Sequence, residues 1–322
     1  MGTYADSGRV AVTLIKRRWR YLLAVLAALA ASVIALSIVD RVSASPRTVQ
    51  IPPVLSQPTM GSWPSVPAAE PSASAVPAAE ASPATNAGSR PPVLTAWANP
   101  AKWQRVWWTD FAVAVPLGQF PGAVQSEWGA YPSPWPDTAT QRGYAVHGYY
   151  DPATTTWISG GYLHLRMWRG TGDIHSAAVY PIAANNVKYG RFIEVVRVSK
   201  VTQGYKSAHL LWPVGNAYNE VDFPENEWTT SPSAYVHYGG PTVTFETNIS
   251  WTDWHTYEIR WQPGSLAFYV DGKLVGDTTH GVPDVNMSWI IQNESALQGP
   301  SAPVNSYAQM DISYVEYDKY TG

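Results

Sequence analysis

Four carboxylates crowd the ten residues Asn219-Glu220-Val221-Asp222-Phe223-Pro224-Glu225-Asn226-Glu227-Trp228. In a strand successive side chains alternate faces, so Glu220 and Asp222 share one face while Val221 and Phe223 take the other. Strict alternation places Pro224, not Glu225, beside them. Proline donates nothing to a sheet ladder and is tolerated at edges and bulges, so Pro224 is a natural place for one extra residue. A bulge there returns Glu225 to the face of Glu220 and Asp222. Like charges this close raise one another's pKa, which suits chemistry needing one ionised and one protonated carboxyl. By themselves the three acids also fit a solvated acidic edge or a calcium site. Glu227, nearer the strand end, reads as solvated.

The elements around this stretch are strands. From about Pro91 to the end the chain is dense in Trp, Tyr, Val and Gly. Tyr257, Ile259 and Trp261 alternate with Glu258 and Arg260, Gln262-Pro263-Gly264 turns the chain, and Leu266, Phe268 and Val270 alternate again. Asp271-Gly272 then reads as a type I′ hairpin turn before Lys273. Residues 163–167, 192–198, 288–292 and 312–317 look similar, and nothing after residue 100 keeps a 3.6-residue period for three turns. Residues 91–322 are therefore expected to form one all-β domain, a sandwich of two antiparallel sheets.

Two further segments precede it. Arg9, Lys16, Arg17, Arg18 and Arg20 lie within a basic segment, 1–20, ahead of an uncharged run, 21–39. At about 1.5 Å per residue that run spans roughly 28 Å of hydrocarbon, the length of a transmembrane signal anchor, and its basic flank predicts that everything after it lies outside the cell membrane. Val42-Ser43-Ala44 offers a small-x-small cleavage pattern, which would instead make the run a signal peptide and the protein secreted. Residues 40–90 are rich in Pro, Ala and Ser, too poor in apolar area to offset chain entropy, and are expected to be a disordered, semi-extended linker.

Composition excludes some chemistry. The 322 residues carry no cysteine, so a thiolate metal site, a thiol nucleophile and a disulfide framework are out. The net charge of −3 gives no electrostatic reason to expect nucleic acid. Sixteen Trp and 19 Tyr against 6 Phe favour amphipathic rings that stack on sugars or fill a sandwich core.

Four motifs in order resemble family 16 of the glycoside hydrolases: Tyr189-Gly-Arg-Phe-Ile-Glu194, Glu220-x-Asp222-x-x-Glu225, Val236-His-Tyr-Gly239, and the late hairpin from Trp254-His-Thr-Tyr-Glu-Ile259 to Tyr269-Val-Asp-Gly-Lys273. The resemblance implies a jelly roll of two antiparallel sheets and a retaining endo-β-glucanase acting on β-1,3 or mixed-linkage glucan. It implies Glu220 as nucleophile, Glu225 as acid and base, and Asp222 as the partner that hydrogen-bonds the nucleophile. Retaining cleavage needs carboxyls about 5 to 5.5 Å apart. Glu220 and Glu225 start about 13 Å apart over four rises of about 3.3 Å, a gap that side chains leaning together on a concave, bulged strand can close. Crowding by Glu220 and Asp222 is expected to keep Glu225 protonated when it acts as an acid. A transglycosylase or a trimming enzyme for the cell's own surface polysaccharide, and a non-catalytic lectin-like module, are the alternative readings.

For substrate binding the expected residues are Trp212, Trp228, His237, Trp254 and Gln292. Trp251 and Asn293 stand beside two of these, and Trp261 is expected in the core. Family members that cut β-1,3-glucans carry a Trp-Pro-Ala-Phe-Trp-Leu stretch, whose counterpart here is Lys206-Ser207-Ala208-His209-Leu210-Leu211, with Trp212 displaced by two. Parity keeps Trp212 on the face of Leu210. The aspartate that the family's last strand gives to a structural calcium site has Ser313 as its counterpart, with Asp311 two residues earlier, so a structural calcium stays open but unsupported and no cofactor is assigned. The expected partners are a polysaccharide substrate and, through the N-terminal helix, a membrane.

Overall fold

The computed structural model describes residues 102–144, 147–215 and 219–322. In chain order its strands are β1 (Trp103–Thr109), β2 (Trp128–Ala130), β3 (Gly148–Tyr150), β4 (Thr156–Ser159), β5 (Tyr162–Arg169), β6 (Ile174–Pro181), β7 (Gly190–Lys200) and β8 (Tyr205–Pro213). There follow β9 (Glu220–Glu227), β10 (Ser233–His237), β11 (Val243–Glu246), β12 (His255–Gln262), β13 (Ser265–Val270), β14 (Lys273–Thr278), β15 (Met287–Ser295) and β16 (Ser306–Tyr320). One sheet runs β11-β10-β9-β8-β15-β6 and the other β5-β16-β7-β12-β13-β14. Strand β6 belongs to both: Ile174 and His175 pair with β5, and Ala177 to Val179 pair with β15. Neighbours along both sheets are antiparallel, while the short β3 joins β6 in parallel. The late hairpin forms as its residues dictate. Val270 pairs with Lys273, leaving Asp271 and Gly272 as a two-residue loop with φ of 48° and 71°, the double positive φ of a type I′ turn.

Alternation fills the space between the sheets. Phe192 of β7 meets Trp289 of β15 across it with ring centroids 5.4 Å apart, and Phe223 of β9 lies 5.4 Å from both Tyr257 of β12 and Phe268 of β13. Burying each such ring stabilises the fold by roughly 1.5–3 kcal/mol, so β9 is held by its inward side chains while its acids face away. Trp261 is in this core as expected, its indole N–H donating to Pro283 O at 3.0 Å. A polar pair bridges the two sheets in this interior: His209 Nδ1 lies 2.7 Å from Glu194 Oε1 of the opposing sheet, both fully buried.

The helical expectation is corrected. Among the described residues no helix is long and apolar enough to cross a membrane. The two α-helices there, Thr138–Gln141 and Pro152–Thr155, have four residues each, whereas a crossing needs about 20. Segments 1–20, 21–39 and 40–90, with the expected transmembrane or signal helix and linker, lie outside the described residues. The expected membrane partner and membrane location thus lack a crossing helix among the described residues.

Candidate active site

Strand β9 carries the bulge that its proline predicts. Asp222 and Glu225 are three residues apart, yet their partners Leu210 and Ala208 on β8 are two apart, as are Tyr235 and Ser233 on β10. The extra residue falls at the cis Phe223–Pro224 peptide. Parity is thereby reset, and Glu220, Asp222 and Glu225 share the face away from the core while Val221 and Phe223 are buried within it. Asn226 closes the bulge with φ of 155°. Its side-chain amide donates to Ser231 O at 2.9 Å and Ser233 Oγ at 3.1 Å, and Tyr235 O–H donates to its Oδ1 at 3.2 Å.

The acids form a tight cluster. One ligand-type atom each from Asp222, Glu225 and His237 lies within 4.8 Å of the others. His237 is opposite Glu220 in the register and sets Nε2 3.3 Å from Asp222 Oδ2, while its Nδ1 lies 3.2 Å from Thr242 Oγ1. Burial pushes the Glu220 carboxyl well above its ordinary value, and the charge of Asp222 adds to this. Burial likewise raises Asp222, helped by Glu225 and opposed by Lys206 and by a side-chain hydrogen bond with Glu220.

The adjoining strands complete the face. On β8 it bears Lys206, Ala208, Leu210 and Trp212, and on β15 Ser288, Ile290, Gln292 and Glu294, each opposite its β8 partner. Gln292 stands between Ala208 and Ala178, with Ala208 separating it from Glu225. Trp212 is half-buried against an aromatic cluster in which Tyr131 lies 4.8 Å from Trp135 and 5.0 Å from Tyr150.

Two expected sugar platforms are corrected. Trp228 is 3% exposed in the core, its indole N–H donating to Ser207 Oγ at 2.7 Å, because the bulge also shifts the parity of everything after it. Trp254 stacks on Tyr162 at 5.5 Å with the Arg197 guanidinium 4.8 Å from its ring, on the outer face of the opposite sheet. Trp251 and Asn293 are buried. Asp311 is occupied by His164 at 2.8 Å, Gln309 at 2.9 Å and Arg197 at 3.3 Å, and Ser313 is buried.

The residues not foreseen are Lys206, Glu294, Tyr150 and Tyr235. Parity with Trp212 was the available signal for Lys206, and β15 continues three residues past the expected end at Gln292, which brings in Glu294.

Residues 162–296 match the profile of glycosyl hydrolases family 16. A β-glucanase of Paenibacillus polymyxa is 28% identical over 149 residues, covering 43% of this chain and 62% of that relative, so the match spans less than two thirds of its length. The fold is similar to the laminarinase of Rhodothermus marinus, with TM-score 0.56 and 19% identity over 68% of this chain and 98% of that one. It is also similar to the catalytic domain of an endo-1,3-β-glucanase from Thermotoga petrophila, with TM-score 0.53 and 19% identity over 68% and 99%. Residues 162–296 thus resemble glycosyl hydrolases family 16 in sequence, and the described domain shares its fold with these two glucanases.

Proposed function

We propose that the protein is a retaining endo-glycosidase that hydrolyses β-glucan with β-1,3 or mixed β-1,3-1,4 linkages. The observation that carries this is the bulge of β9, which brings Glu220, Asp222 and Glu225 to one face beside Trp212, His237 and Gln292. In the first step a Glu220 carboxylate oxygen bonds to the anomeric carbon. The glycosidic C–O bond breaks, and the proton of Glu225 passes to the leaving oxygen. In the second step Glu225, now a base, takes a proton from water as the water oxygen displaces Glu220, returning both groups to their starting states. Asp222 hydrogen-bonds Glu220 and takes up the proton that the nucleophile must shed. His237 orients Asp222, and Trp212 and Gln292 contact sugar. The β-glucan preference follows from the relatives and is tested with the rest.

The experiment is hydrolysis of defined β-glucans by wild type, Glu220→Gln and Glu225→Ala, with product anomers read by NMR. Wild type should release β-anomers first, Glu220→Gln should be inactive, and azide should restore turnover of an activated aryl glycoside to Glu225→Ala as a β-glycosyl azide. Unchanged hydrolysis in either variant defeats the site assignment, and release of α-anomers defeats retention.

A further inference from the structure

Lys206 is a buried cation wedged between two carboxylates. Its Nζ donates to Glu225 Oε1 at 2.7 Å and lies 3.8 Å from Glu294 Oε1, with only 8% of the lysine side chain and 1% of the Glu294 side chain exposed. Glu294 is itself fixed, its Oε2 accepting the Thr138 N–H at 3.1 Å and the Tyr150 O–H at 3.1 Å. A chain of contacts thus runs from the first residue of the short helix Thr138–Gln141 through Glu294 and Lys206 to Glu225. Burial pushes the Lys206 ammonium down, and the carboxylates of Glu225 and Glu294 more than reverse this, so it stays charged.

The charged surroundings of Glu225 are otherwise acidic. Its own strand brings Glu220, Asp222 and Glu227, and β15 brings Glu294. Strand β10 contributes His237, which is directed at Asp222. Lys206 of β8 is the cation that donates to Glu225. Lys206 thus places a positive charge in contact with the group read as acid and base.

We propose that Lys206 is a positioning residue for Glu225: anchored from behind by Glu294, it fixes the direction of the carboxyl and supplies the positive charge against which Glu225 gains and loses its proton. This rests on the reading of Glu225 as acid and base. The lysine forms no bond to substrate. Its effect is to favour the carboxylate, which helps the second step, where Glu225 is a base, and confines the first step, where it is an acid, to lower pH.

The test titrates Glu225 directly, by carboxyl-13C NMR of glutamate-labelled protein with the signal assigned through Glu225→Gln. It compares wild type, Lys206→Met, Lys206→Arg and the double variant Lys206→Met/Glu294→Gln. The double variant removes cation and anchor together and stays folded if the single change leaves Glu294 too costly to bury. In whichever Met variant folds, the Glu225 midpoint should rise by roughly 1–3 pH units, and Lys206→Arg should keep it near wild type. The alkaline limb of kcat/KM on β-glucan should rise with it. A midpoint that does not move in the folded Met variants overturns the proposal, as does a moved midpoint with an unmoved alkaline limb. If wild type cleaves no β-glucan while the midpoint still moves, the β-glucan reading fails and the hold of Lys206 on Glu225 stands.

Discussion

Glu220 and Asp222 stand two residues apart on one face of β9, where burial and then the charge of Asp222 lift Glu220 well above its ordinary value. A raised folded value means that the native state binds the proton more tightly than the unfolded chain. Stability from this source is fully present below the unfolded value and is lost as pH rises through the folded one. Wild type should therefore lose denaturant resistance between about pH 4.5 and 7.5, and Glu220→Gln should lose less of it. Denaturation midpoints at those two pH values measure the difference. Equal losses in the two proteins rule out stored electrostatic cost at the site. Asp222→Asn should also move the acid limb of activity to lower pH, because the neighbouring charge is gone.

Trp212 and Trp228 are both tryptophans of the catalytic-strand region, and their surroundings separate them. Trp212 is half-buried on the face of the acids, and Trp228 is in the core. Trp212→Ala should raise KM for polymer about tenfold, ~1.4 kcal/mol of binding, with little loss of melting temperature. Trp228→Ala should cost about 3–5 kcal/mol of stability through the cavity it leaves. Thermal denaturation beside steady-state kinetics distinguishes them, and a large KM effect in a fully folded Trp228→Ala would contradict the core assignment.

Three aspartates bond histidines along the edges and outer face of the domain: Asp151 with His175 at 2.8 Å, Asp271 with His255 at 2.7 Å and Asp311 with His164 at 2.8 Å. Burial alone would raise each carboxyl. The imidazoles and the other groups that donate to each carboxylate together more than offset that and hold all three below 3.8. Depressed folded values contribute stability above the unfolded value, lost as pH falls through the folded one. Denaturation midpoints should thus drop steeply below about pH 4, and His164→Asn should flatten the drop. An identical acid curve for that variant removes Asp311 from the account.

The bulge was legible because proline has no N–H to offer a ladder, so Pro224 could be read as the interruption without any knowledge of its neighbours. The hairpin at Asp271-Gly272 was legible for a similar local reason, two residues that tolerate positive φ. Trp228 was misread because the bulge shifts parity once, and a residue three positions later inherits that shift. Trp254 was misread because sequence order does not say which of two sheets a tryptophan beside a hairpin will lie against. Lys206 and Glu294 meet across 88 residues, a contact set by the β8–β15 register.

What the sequence determined by itself was local: alternating strands, turn residues, and an acidic triad whose proline implied its own bulge, since each depends on the backbone preferences of a few consecutive residues. Only the tertiary structure decided which side chains join the triad. That choice depends on the pairing of β8, β9, β10 and β15, and on which face of each strand the core claims.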